Sequence, residues 1–505
     1  MKKIMRRVLT IIPAVAVQGL WIYLLLKWLH PYTALITTIL SIFSFFFVLY
    51  VITRRDESTY KILWLLVILT FPLPGALLYL IFGNKRTARP LELSLARADM
   101  SCVPAAMAVS GPCEEIVPME GSARMEQTVR WLEKKTGCPL HRVESVKYYA
   151  LGDEMYPDML RDLKAAERFI YIEYFIIAPG LMWDSIAEIL EQKVKEGVDV
   201  RVMYDDLGSI ATFNIENRRH LWEKGIKCVT FNPLVAVRGT CNYRDHRKIA
   251  IIDGDIAYTG GANLADEYAN LIVRFGYWKD CGIRLDGEGA WGLTRQFMHL
   301  WLRMSGELRD PWDSYRPQAV GHGGDFCQPL VDGPDNNPVS TIEDTYQQLI
   351  ANACRYVWIT TPYLAIDEPM IRTLCIAADS GVDVRLMLPG IPDHKFAYMV
   401  AQSYFGELLQ HGVKIYTYTP GLLHAKSVVA DGEMGFVGSV NMDYRSFQLH
   451  FECGTLFTGS AVAAVQEDMD DILEKSRRVT LAAWRKRKWY VKILGAVLRP
   501  FAMWM

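Results

Sequence analysis

The chain has 505 residues, which is too long for one hydrophobic core, so we expect two or more domains. Its formal net charge is −1, and this near balance gives no bulk electrostatic indication of a nucleic-acid partner. The 10 cysteines are scattered without a Cys-x-x-Cys pair, which argues against a zinc site and favours buried, reduced thiols.

Apolar residues are concentrated at the N-terminus. The hydrophobic fraction of 51% is high for a soluble enzyme, and residues 1–85 account for the excess. Three apolar stretches there, 8–26, 33–52 and 62–82, are each about long enough to span a bilayer. We therefore predict a membrane anchor with two to three transmembrane helices. A cleaved signal peptide is the alternative for the first stretch, but no small-x-small cleavage site precedes Lys27.

Basic residues bear on the orientation of this anchor. The four basic residues within the first seven positions place the N-terminus inside by the positive-inside rule. Three full spans would then put the enzyme outside, although Lys85 and Arg86 also favour the inner side. Pro72, Pro74 and Gly75 interrupt the third stretch, which could dip into the bilayer and return. We expect a multi-pass protein of the cell membrane with a cytoplasmic catalytic part.

The rest of the chain is a duplicated unit. Residues 86–140 show no sustained periodicity and are predicted to be a linker. Beyond them, the chain passes twice through the same series of helix and strand patterns, in a first half (141–320) and a second half (321–475). The strand pattern at 197–203 is copied at 381–387. Strands that alternate with helices indicate an α/β fold, so we predict two tandem α/β repeats behind the membrane anchor.

Two further segments lie outside the repeated pattern. The first half carries extra residues at about 234–240, which either gate a substrate or form a tolerated surface insertion. Residues 476–505 form a basic segment with aromatic and aliphatic side chains between its charges. A solvated tail and a nucleic-acid tail are alternatives, but the aromatic content and the anchor favour a segment lying on anionic membrane lipid.

One short motif occurs in both halves with the same spacing. Its copies are His246, Lys248, Asp253 and Asn263, and then His424, Lys426, Asp431 and Asn441. Apolar residues between each Lys and Asp indicate a buried strand, on which side chains two positions apart share a face. Each His and its Lys therefore point the same way. The Asp-Gly pair that follows each strand predicts a hairpin turn, after which a second strand delivers the Asn.

These residue types suit phosphodiester chemistry. A His is a nucleophile or a general acid near neutral pH, and a Lys is a fixed positive charge for a phosphoryl oxygen. An Asn amide adds a donor for the same oxyanion. One copy on its own has a purely structural interpretation, in which a core His lies beside a surface Lys on a strand. Two copies that match at four positions leave that interpretation little room, and together they predict one shared active site.

Four short sequences in and around the repeated motif indicate a protein family. They are Asn-Tyr-Arg-Asp-His-Arg-Lys at 242–248, Asp-Glu-Tyr at 266–268, Trp-Lys-Asp at 278–280 and Thr-Pro-Tyr at 361–363. With them, the double motif resembles the phospholipase D superfamily, and more narrowly the bacterial cardiolipin synthases. The resemblance implies two phospholipase D-like halves. It also implies phosphatidyl transfer between two phosphatidylglycerol molecules, which gives cardiolipin and glycerol through a phosphohistidine, without a metal or another cofactor.

The resemblance also implies residue roles. Its motif residues are His246, Lys248, Asp253, His424, Lys426 and Asp431, with one His as nucleophile and the other as acid and base. We interpret the two aspartates as turn residues. Asn263 and Asn441 would bind phosphate with the lysines. An acid downstream of each motif would orient its His, and Asp280 in the first half and Glu452 in the second half match, with a structural ion pair as the alternative. The family often has Asn-x-Glu where this chain has His450-Phe451-Glu452.

Other functions remain open at this point. A phospholipid hydrolase or a phosphatidyltransferase with another acceptor would carry the same motifs, since these enzymes differ in which hydroxyl reaches the phosphohistidine. The membrane segments disfavour a nuclease. A non-catalytic membrane scaffold would be free to lose a His or a Lys, so the two intact motifs argue against it. We therefore expect phosphatidylglycerol and anionic membrane lipid as partners, and no nucleic acid.

Overall fold

A computed structural model describes residues 32–54, 58–80, 123–233, 242–306, 312–318, 323–334 and 340–504, together with Leu20 and Tyr23. Several predictions fall outside these residues. They concern the first apolar stretch apart from Leu20 and Tyr23, the end of the third stretch, the part of the linker before residue 123, and the extra residues at 234–240.

Helices and strands alternate along the described chain, as the sequence predicts. The helices are α1 (Thr33–Thr53), α2 (Ser58–Thr70), α3 (Pro72–Leu78), α4 (Ala123–Thr136), α5 (Gly152–Ala165), α6 (Leu181–Lys195), α7 (Ile215–Glu223), α8 (Glu288–Ser305), α9 (Thr341–Asn352), α10 (Glu368–Asp379), α11 (Lys395–Gln410), α12 (Tyr444–Gln448), α13 (Ser460–Glu474), α14 (Leu481–Arg485) and α15 (Trp489–Leu498). The strands are β1 (His141–Val143), β2 (Val146–Tyr149), β3 (Phe169–Tyr174), β4 (Asp199–Asp205), β5 (Lys227–Phe231), β6 (Arg244–Asp245), β7 (Lys248–Ile252), β8 (Ile256–Gly260), β9 (Tyr277–Lys279), β10 (Gly282–Asp286), β11 (Asp325–Asp332), β12 (Tyr356–Thr360), β13 (Leu364–Ala365), β14 (Asp383–Pro389), β15 (Lys414–Tyr418), β16 (Gly421–Leu423), β17 (Ser427–Ala430), β18 (Met434–Gly438), β19 (Met442–Asp443), β20 (His450–Phe457) and β21 (Ser476–Val479).

The N-terminal helices agree with the predicted break in the third apolar stretch. α2 ends at Thr70 and α3 begins at Pro72, a residue that is tolerated in the first turn of a helix but not in its interior. A Cβ at Gly75 would come within 2.6 Å of the Val67 carbonyl oxygen, so α3 packs closely on α2. No helix within the described residues is long and apolar enough to cross a membrane.

Two sheets carry the duplication. The first has seven strands in the order β2-β10-β8-β7-β3-β4-β5. The second has ten strands, in the order β1-β11-β20-β18-β17-β12-β14-β15-β21, with β6 beside β20. The run β20-β18-β17-β12-β14-β15 repeats the run β10-β8-β7-β3-β4-β5, and in both runs the last three strands are parallel. The predicted tandem α/β repeat is therefore confirmed strand by strand.

One hydrophobic cluster joins the two sheets. It contains Tyr171 and Ile251 from the first sheet, Val429 and Val437 from the second, and Phe297 from α8, all of them buried. Because each sheet needs apolar partners on both faces, the halves lie back to back on this shared core. The core therefore holds the motif-bearing strands β7 and β17 in one rigid body.

The structure departs from the predicted linker. Residues 123–136 form α4, on which Met125, Val129 and Leu132 are buried at helical spacing. The helix is rich in charged residues, so its apolar stripe is narrow and gives only a weak periodicity in the sequence. β1 pairs with β11 in the second sheet, although the predicted boundary assigns it to the first half.

The basic C-terminal segment is docked on the second half. β21 pairs with β15, and the Trp484 indole donates a hydrogen bond to the Gln402 carbonyl oxygen at 2.7 Å. Trp489, Ile493 and Val497 of α15 remain exposed. Among the described cysteines, Cys354 alone is exposed, and the others are buried and reduced, as the sequence predicts.

Candidate active site

Each motif sits on a β-hairpin, as predicted. β7 pairs with β8, and β17 pairs with β18. Asp253 and Asp431 adopt φ angles of 57° and 55°, and Gly254 and Gly432 follow at 74° and 73°. Two consecutive positive φ values are the geometry of a tight hairpin turn that favours Asp-Gly.

The motif aspartates face away from the histidines, at the far end of each strand. The Asp253 carboxylate accepts backbone N–H bonds from residues 167–169, and the Asp431 carboxylate accepts them from residues 354–356, at 2.6–2.8 Å. These bonds tie the turn to the start of the neighbouring strand. They support the interpretation of the two aspartates as structural residues.

Short strands exchanged between the halves bring the two motifs together. β6, just before His246, runs parallel to the start of β20, and β16, just before His424, runs parallel to β9. The His246 N–H donates to the Phe451 carbonyl oxygen at 2.9 Å, and the His424 N–H donates to the Lys279 carbonyl oxygen at 2.7 Å. Each His is thus fixed by backbone from the other half.

This exchange decides which acid meets which histidine. His246 Nδ1 lies 2.9 Å and 3.0 Å from the two oxygens of Glu452, and His424 Nδ1 lies 2.6 Å from Asp280 Oδ2. The family resemblance assigned each acid to the His of its own half, and that assignment is wrong. Each acid directly follows the segment that pairs with the opposite His, so the contacts cross between the halves.

The carboxylates set the tautomer of both rings. An ionised carboxylate only accepts hydrogen bonds, so in the neutral form of each ring Nδ1 carries the proton and Nε2 carries the lone pair, and the charged form carries a proton on Nε2 as well. Both rings are buried, with exposed fractions of 8% for His246 and 6% for His424. The geometry leaves Nε2 of each ring as the reactive nitrogen.

Burial and positive neighbours shift the pKa values of the site. Burial, then Lys248 and Lys426, lowers the pKa of His246 well below its usual value. Burial and Lys426 also lower the pKa of His424, and Asp280 opposes this shift. Burial alone would raise the pKa of Asp280, but His424 and Lys426 outweigh it and lower that pKa. Burial lowers the pKa of Lys248 to about 7.

Both lysines are buried beside the histidines. Lys248 Nζ donates to the His246 carbonyl oxygen, and Lys426 Nζ donates to the His424 carbonyl oxygen. Lys426 Nζ also lies 2.8 Å from His424 Nδ1 and 3.3 Å from His424 Nε2. Two ammonium groups without bulk water around them give the site a strong field for an anion.

The two asparagines differ in their surroundings. Asn263 Oδ1 accepts the Ile176 N–H at 3.1 Å, and its Nδ2 donates to the Tyr268 hydroxyl at 2.8 Å. Asn441 Oδ1 is buried without a hydrogen-bond partner among the described residues. The role of both amides in phosphate binding stays a prediction.

The loop residues that precede the asparagines also differ between the copies. Ser439 donates its hydroxyl proton to Glu452, which gives that carboxylate a donor besides His246. Gly261 occupies the equivalent position in the first copy, where a Cβ would overlap the Asp280 carboxylate. The first copy therefore requires glycine because the acid lies directly against the backbone.

Three aromatic residues outside the two motifs lie against the histidines. Tyr268 and Trp278 rings lie 5.6 Å and 5.5 Å from the His424 ring, and the Phe175 ring lies 4.9 Å from the His246 ring. Tyr268 and Trp278 belong to the short sequences on which the family resemblance rests, and that resemblance is the sequence signal that could have identified them as site residues. They form an apolar wall that keeps water from the two imidazoles.

His450 is a third histidine in the site. Among the described residues, His246, His450 and Glu452 form a group whose ligand atoms lie within 4.8 Å of one another, close enough to hold a metal ion. However, His450 Nε2 accepts a hydrogen bond from Arg445 Nε at 3.2 Å, so the proton sits on Nδ1, which faces Glu452 at 3.7 Å. A protonated nitrogen cannot ligate a metal, and at 3.7 Å this N–H makes no hydrogen bond to Glu452.

Comparison with known proteins agrees with this geometry. Family models described as "Cardiolipin synthase, PLD-like domain" match residues 159–272 and 346–473, and one described as "Phospholipase_D-nuclease N-terminal" matches residues 39–84. A phosphatidylserine synthase from Haemophilus influenzae has the same fold, with a TM-score of 0.58 at 15% identity, over 74% of this chain and 97% of that one.

Sequence relatives extend over nearly the whole chain. An uncharacterized protein of Streptococcus mutans is 38% identical over 90% of this chain and 98% of its own length. The cardiolipin synthase of Listeria welshimeri is 32% identical over 93% of this chain and 98% of its own. The cardiolipin synthase of Halalkalibacterium halodurans is 31% identical over 92% of each chain. The chain belongs to the cardiolipin synthase family of the phospholipase D superfamily.

Proposed function

We propose that this chain is a phosphatidyltransferase that joins two phosphatidylglycerol molecules into cardiolipin and releases glycerol. The observation that carries the proposal is the crossed pair of His–carboxylate contacts between two buried lysines. Such a site presents two imidazole Nε2 atoms and two positive charges to one phosphodiester. Covalent catalysis then divides the exchange into two displacements at the same phosphorus.

His246 is the nucleophile and His424 is the acid in this mechanism. Burial and the lysines lower the pKa of His246 well below its usual value, which keeps its ring neutral, as a nucleophile requires. Burial and Lys426 lower the pKa of His424 as well, but Asp280 opposes this shift and favours the charged form that an acid needs. His246 Nε2 attacks phosphorus, and the bond from phosphorus to the glycerol oxygen breaks. His424 Nε2–H donates its proton to that oxygen, and free glycerol leaves.

The second displacement restores the enzyme. The hydroxyl of another phosphatidylglycerol gives its proton to His424 Nε2 and attacks phosphorus, and the phosphorus–nitrogen bond to His246 breaks. Lys248 and Lys426 balance the charge on the phosphoryl oxygens in both steps, assisted by Asn263 and Asn441. One phosphodiester bond is conserved, so the exchange needs no nucleotide.

A labelled-lipid assay tests this function. Purified enzyme with glycerol-labelled phosphatidylglycerol should yield one cardiolipin and one glycerol for each two lipids consumed, and added glycerol should reverse the reaction. Activity should survive exhaustive EDTA treatment, because lysines supply the charge. Free phosphatidic acid as the main product, or a requirement for CDP-diacylglycerol, would identify a hydrolase or another transferase.

Variants of the two histidines test the assignment of roles. His424→Ala should trap phosphorus on His246, where intact-protein mass spectrometry and peptide mapping would find a phosphatidyl adduct. His246→Ala should form no adduct, and each variant should lose several orders of magnitude in turnover, as members of a catalytic unit do. An adduct on His424 in the His246→Ala variant would exchange the two roles.

We also propose that the enzyme works at the cell membrane as a multi-pass protein with a cytoplasmic catalytic part. The N-terminal family match and the exposed apolar side chains of α1, such as Leu35, Ile39 and Phe46, support this placement. The exposed face of α15 and its basic surroundings suit anionic lipid. Protease accessibility in membrane vesicles of known orientation tests the side on which the catalytic part lies.

A further inference from the structure

An exposed apolar loop lies beside the candidate active site. Residues 271–277, here called the rim loop, follow the helical turn Asp266–Ala269 and end at Tyr277, the first residue of β9. Four apolar side chains point into solvent, with exposed fractions of 41% for Leu271, 49% for Ile272, 88% for Val273 and 37% for Phe275. Apolar residues rarely cluster on a surface without a partner, since exposing them to water is unfavourable.

The rim loop is held in this exposed position from both ends. The Asn270 side chain donates to the Trp278 carbonyl oxygen at 3.0 Å and accepts the Trp278 N–H at 2.9 Å. The Leu271 N–H donates to the Asp266 carbonyl oxygen at 3.0 Å, and the Tyr277 N–H donates to the Pro420 carbonyl oxygen at 3.3 Å. These contacts keep the apolar side chains from folding back onto the core.

The base of the loop is the wall of the site. Tyr268 and Trp278 flank the rim loop, and their rings lie 4.6 Å from each other and within 5.6 Å of His424. The rim loop is therefore an exposed apolar surface that is separated from His424 by two aromatic side chains.

A second apolar pair lies near the same histidine. Ile391 and Phe396 are 40% and 61% exposed and bracket Asp393, which accepts a hydrogen bond from the Tyr363 hydroxyl at 2.5 Å. Asp393 is close enough to His424 to act on its pKa, opposing the lowering caused mainly by burial. Exposed apolar side chains thus border the site from both halves of the chain.

The charge within the rim loop indicates what covers it. Arg274 lies between Val273 and Phe275, is 57% exposed, and holds its guanidinium 5.5 Å from the Phe275 ring and in an ion pair with Glu267 at 2.6 Å. A long basic side chain among apolar ones matches a bilayer surface, because its stem lies in the apolar layer while its exposed guanidinium, which has donors besides those facing Glu267, reaches the headgroups.

We propose that the rim loop inserts into the surface of an anionic phospholipid bilayer and seats the active site on it, so that lipid substrates enter without crossing water. This inference rests on the proposed function for the identity of the substrate. It assigns an interfacial contact to the catalytic part itself, separate from the N-terminal anchor and the basic C-terminal segment.

A pair of substrates tests the insertion. The variant Ile272→Ser/Val273→Ser and the matched control Ile215→Ser/Ile376→Ser, at sites that are 70% and 60% exposed elsewhere, are compared as full-length proteins. Turnover of phosphatidylglycerol in vesicles should fall about tenfold or more for the rim-loop variant alone, since it loses two aliphatic side chains that the bilayer would bury. Turnover of dihexanoyl-phosphatidylglycerol below its micellar concentration should stay within about twofold of wild type. Equal losses on both substrates would identify a lid over the substrate, and no loss on vesicles would exclude insertion.

A fluorescence measurement tests the contact without activity. A background with Cys354→Ser, Cys102→Ser, Cys113→Ser and Cys241→Ser removes the exposed described thiol and the three thiols outside the described residues. In it, Val273→Cys or the control Ile215→Cys carries a nitrobenzoxadiazole label. In reconstituted vesicles with phosphatidylglycerol, the label at position 273 should shift to the blue and be quenched by doxyl-labelled lipid, and the label at position 215 should not. Identical spectra at both positions would overturn the proposal. If the wild type makes no cardiolipin from either substrate, the proposed function fails while this measurement still decides on insertion.

Discussion

At the scale of single residues, each motif histidine depends on a carboxylate from the other half of the chain. Glu452→Gln should therefore perturb His246, and Asp280→Asn should perturb His424, with losses in kcat of about 100-fold or more. Proton–nitrogen NMR of labelled histidine would report the tautomer and pKa of each ring in both variants. A Glu452→Gln variant that altered His424 and left His246 unchanged would contradict the crossed contacts.

The Gly261 position tests how closely Asp280 approaches the backbone. Gly261→Ser copies the residue of the second motif, but its Cβ would overlap the Asp280 carboxylate and turn it away from His424. We expect a fall in kcat of at least about tenfold with a folded protein. Gly324→Ala is the matched control, because a Cβ there meets no atom within 4 Å. Full activity in Gly261→Ser would show that Asp280 keeps its contact with His424 when residue 261 carries a side chain.

The pH profile follows from the buried charges. Because the pKa of His246 is lowered, the nucleophile stays neutral at pH 6, and the acid limb of kcat/KM should lie below 6.5. As pH rises past about 7, Lys248 loses its charge, so kcat/KM should fall. The pKa of His424 is lowered from its usual value, so the loss of its proton begins at lower pH and adds to this fall. The bound phosphodiester anion favours both cations, which moves the basic limb of kcat to higher pH. Steady-state kinetics across this range check the profile, and a flat kcat/KM between pH 6 and 9 would contradict it.

At the scale of elements, α2 belongs to the catalytic core as well as to the N-terminal region. Its buried residues Tyr60, Trp64 and Ile68 lie in the same hydrophobic cluster as Leu374 and Tyr404 of the second half. Removing residues 1–82 should therefore lower the thermal midpoint by about 5 °C relative to removing residues 1–54. Thermal unfolding of both truncations in one detergent measures this difference. Equal midpoints would mean that α2 contributes nothing to the fold of the catalytic part.

Sequence patterns predicted the elements that are locally determined. Strand β17 follows from a continuous apolar run, and helix α10 follows from apolar residues at helical spacing. The Asp-Gly pairs predict the hairpin turns, because these residues tolerate the positive φ angles that such turns require. Helix α4 is not evident from the sequence because its three buried apolar residues lie among many charged ones. Tertiary packing, rather than local hydrophobicity, stabilises such a helix.

At the scale of the whole molecule, the active site exists only when both halves meet. The exchanged strands and the shared core predict that a chain ending at residue 320 and a chain beginning at residue 321 are each inactive alone. Co-expressed, the two pieces should associate and recover activity, because the core between the sheets buries large apolar surfaces. Co-purification and turnover of phosphatidylglycerol check this outcome. Activity in either piece by itself would contradict the shared site.

The sequence by itself determined the family, the duplicated α/β unit and the identity of the motif residues, because these depend on composition, periodicity and spacing within short stretches. The family resemblance is confirmed by relatives along the whole chain, and the roles of the site residues stay predictions. Only the tertiary structure decided that Glu452 meets His246 and Asp280 meets His424, across 206 and 144 positions of sequence. No local pattern encodes that choice, since it is made by the pairing of β6 with β20 and of β9 with β16 once the two sheets pack together.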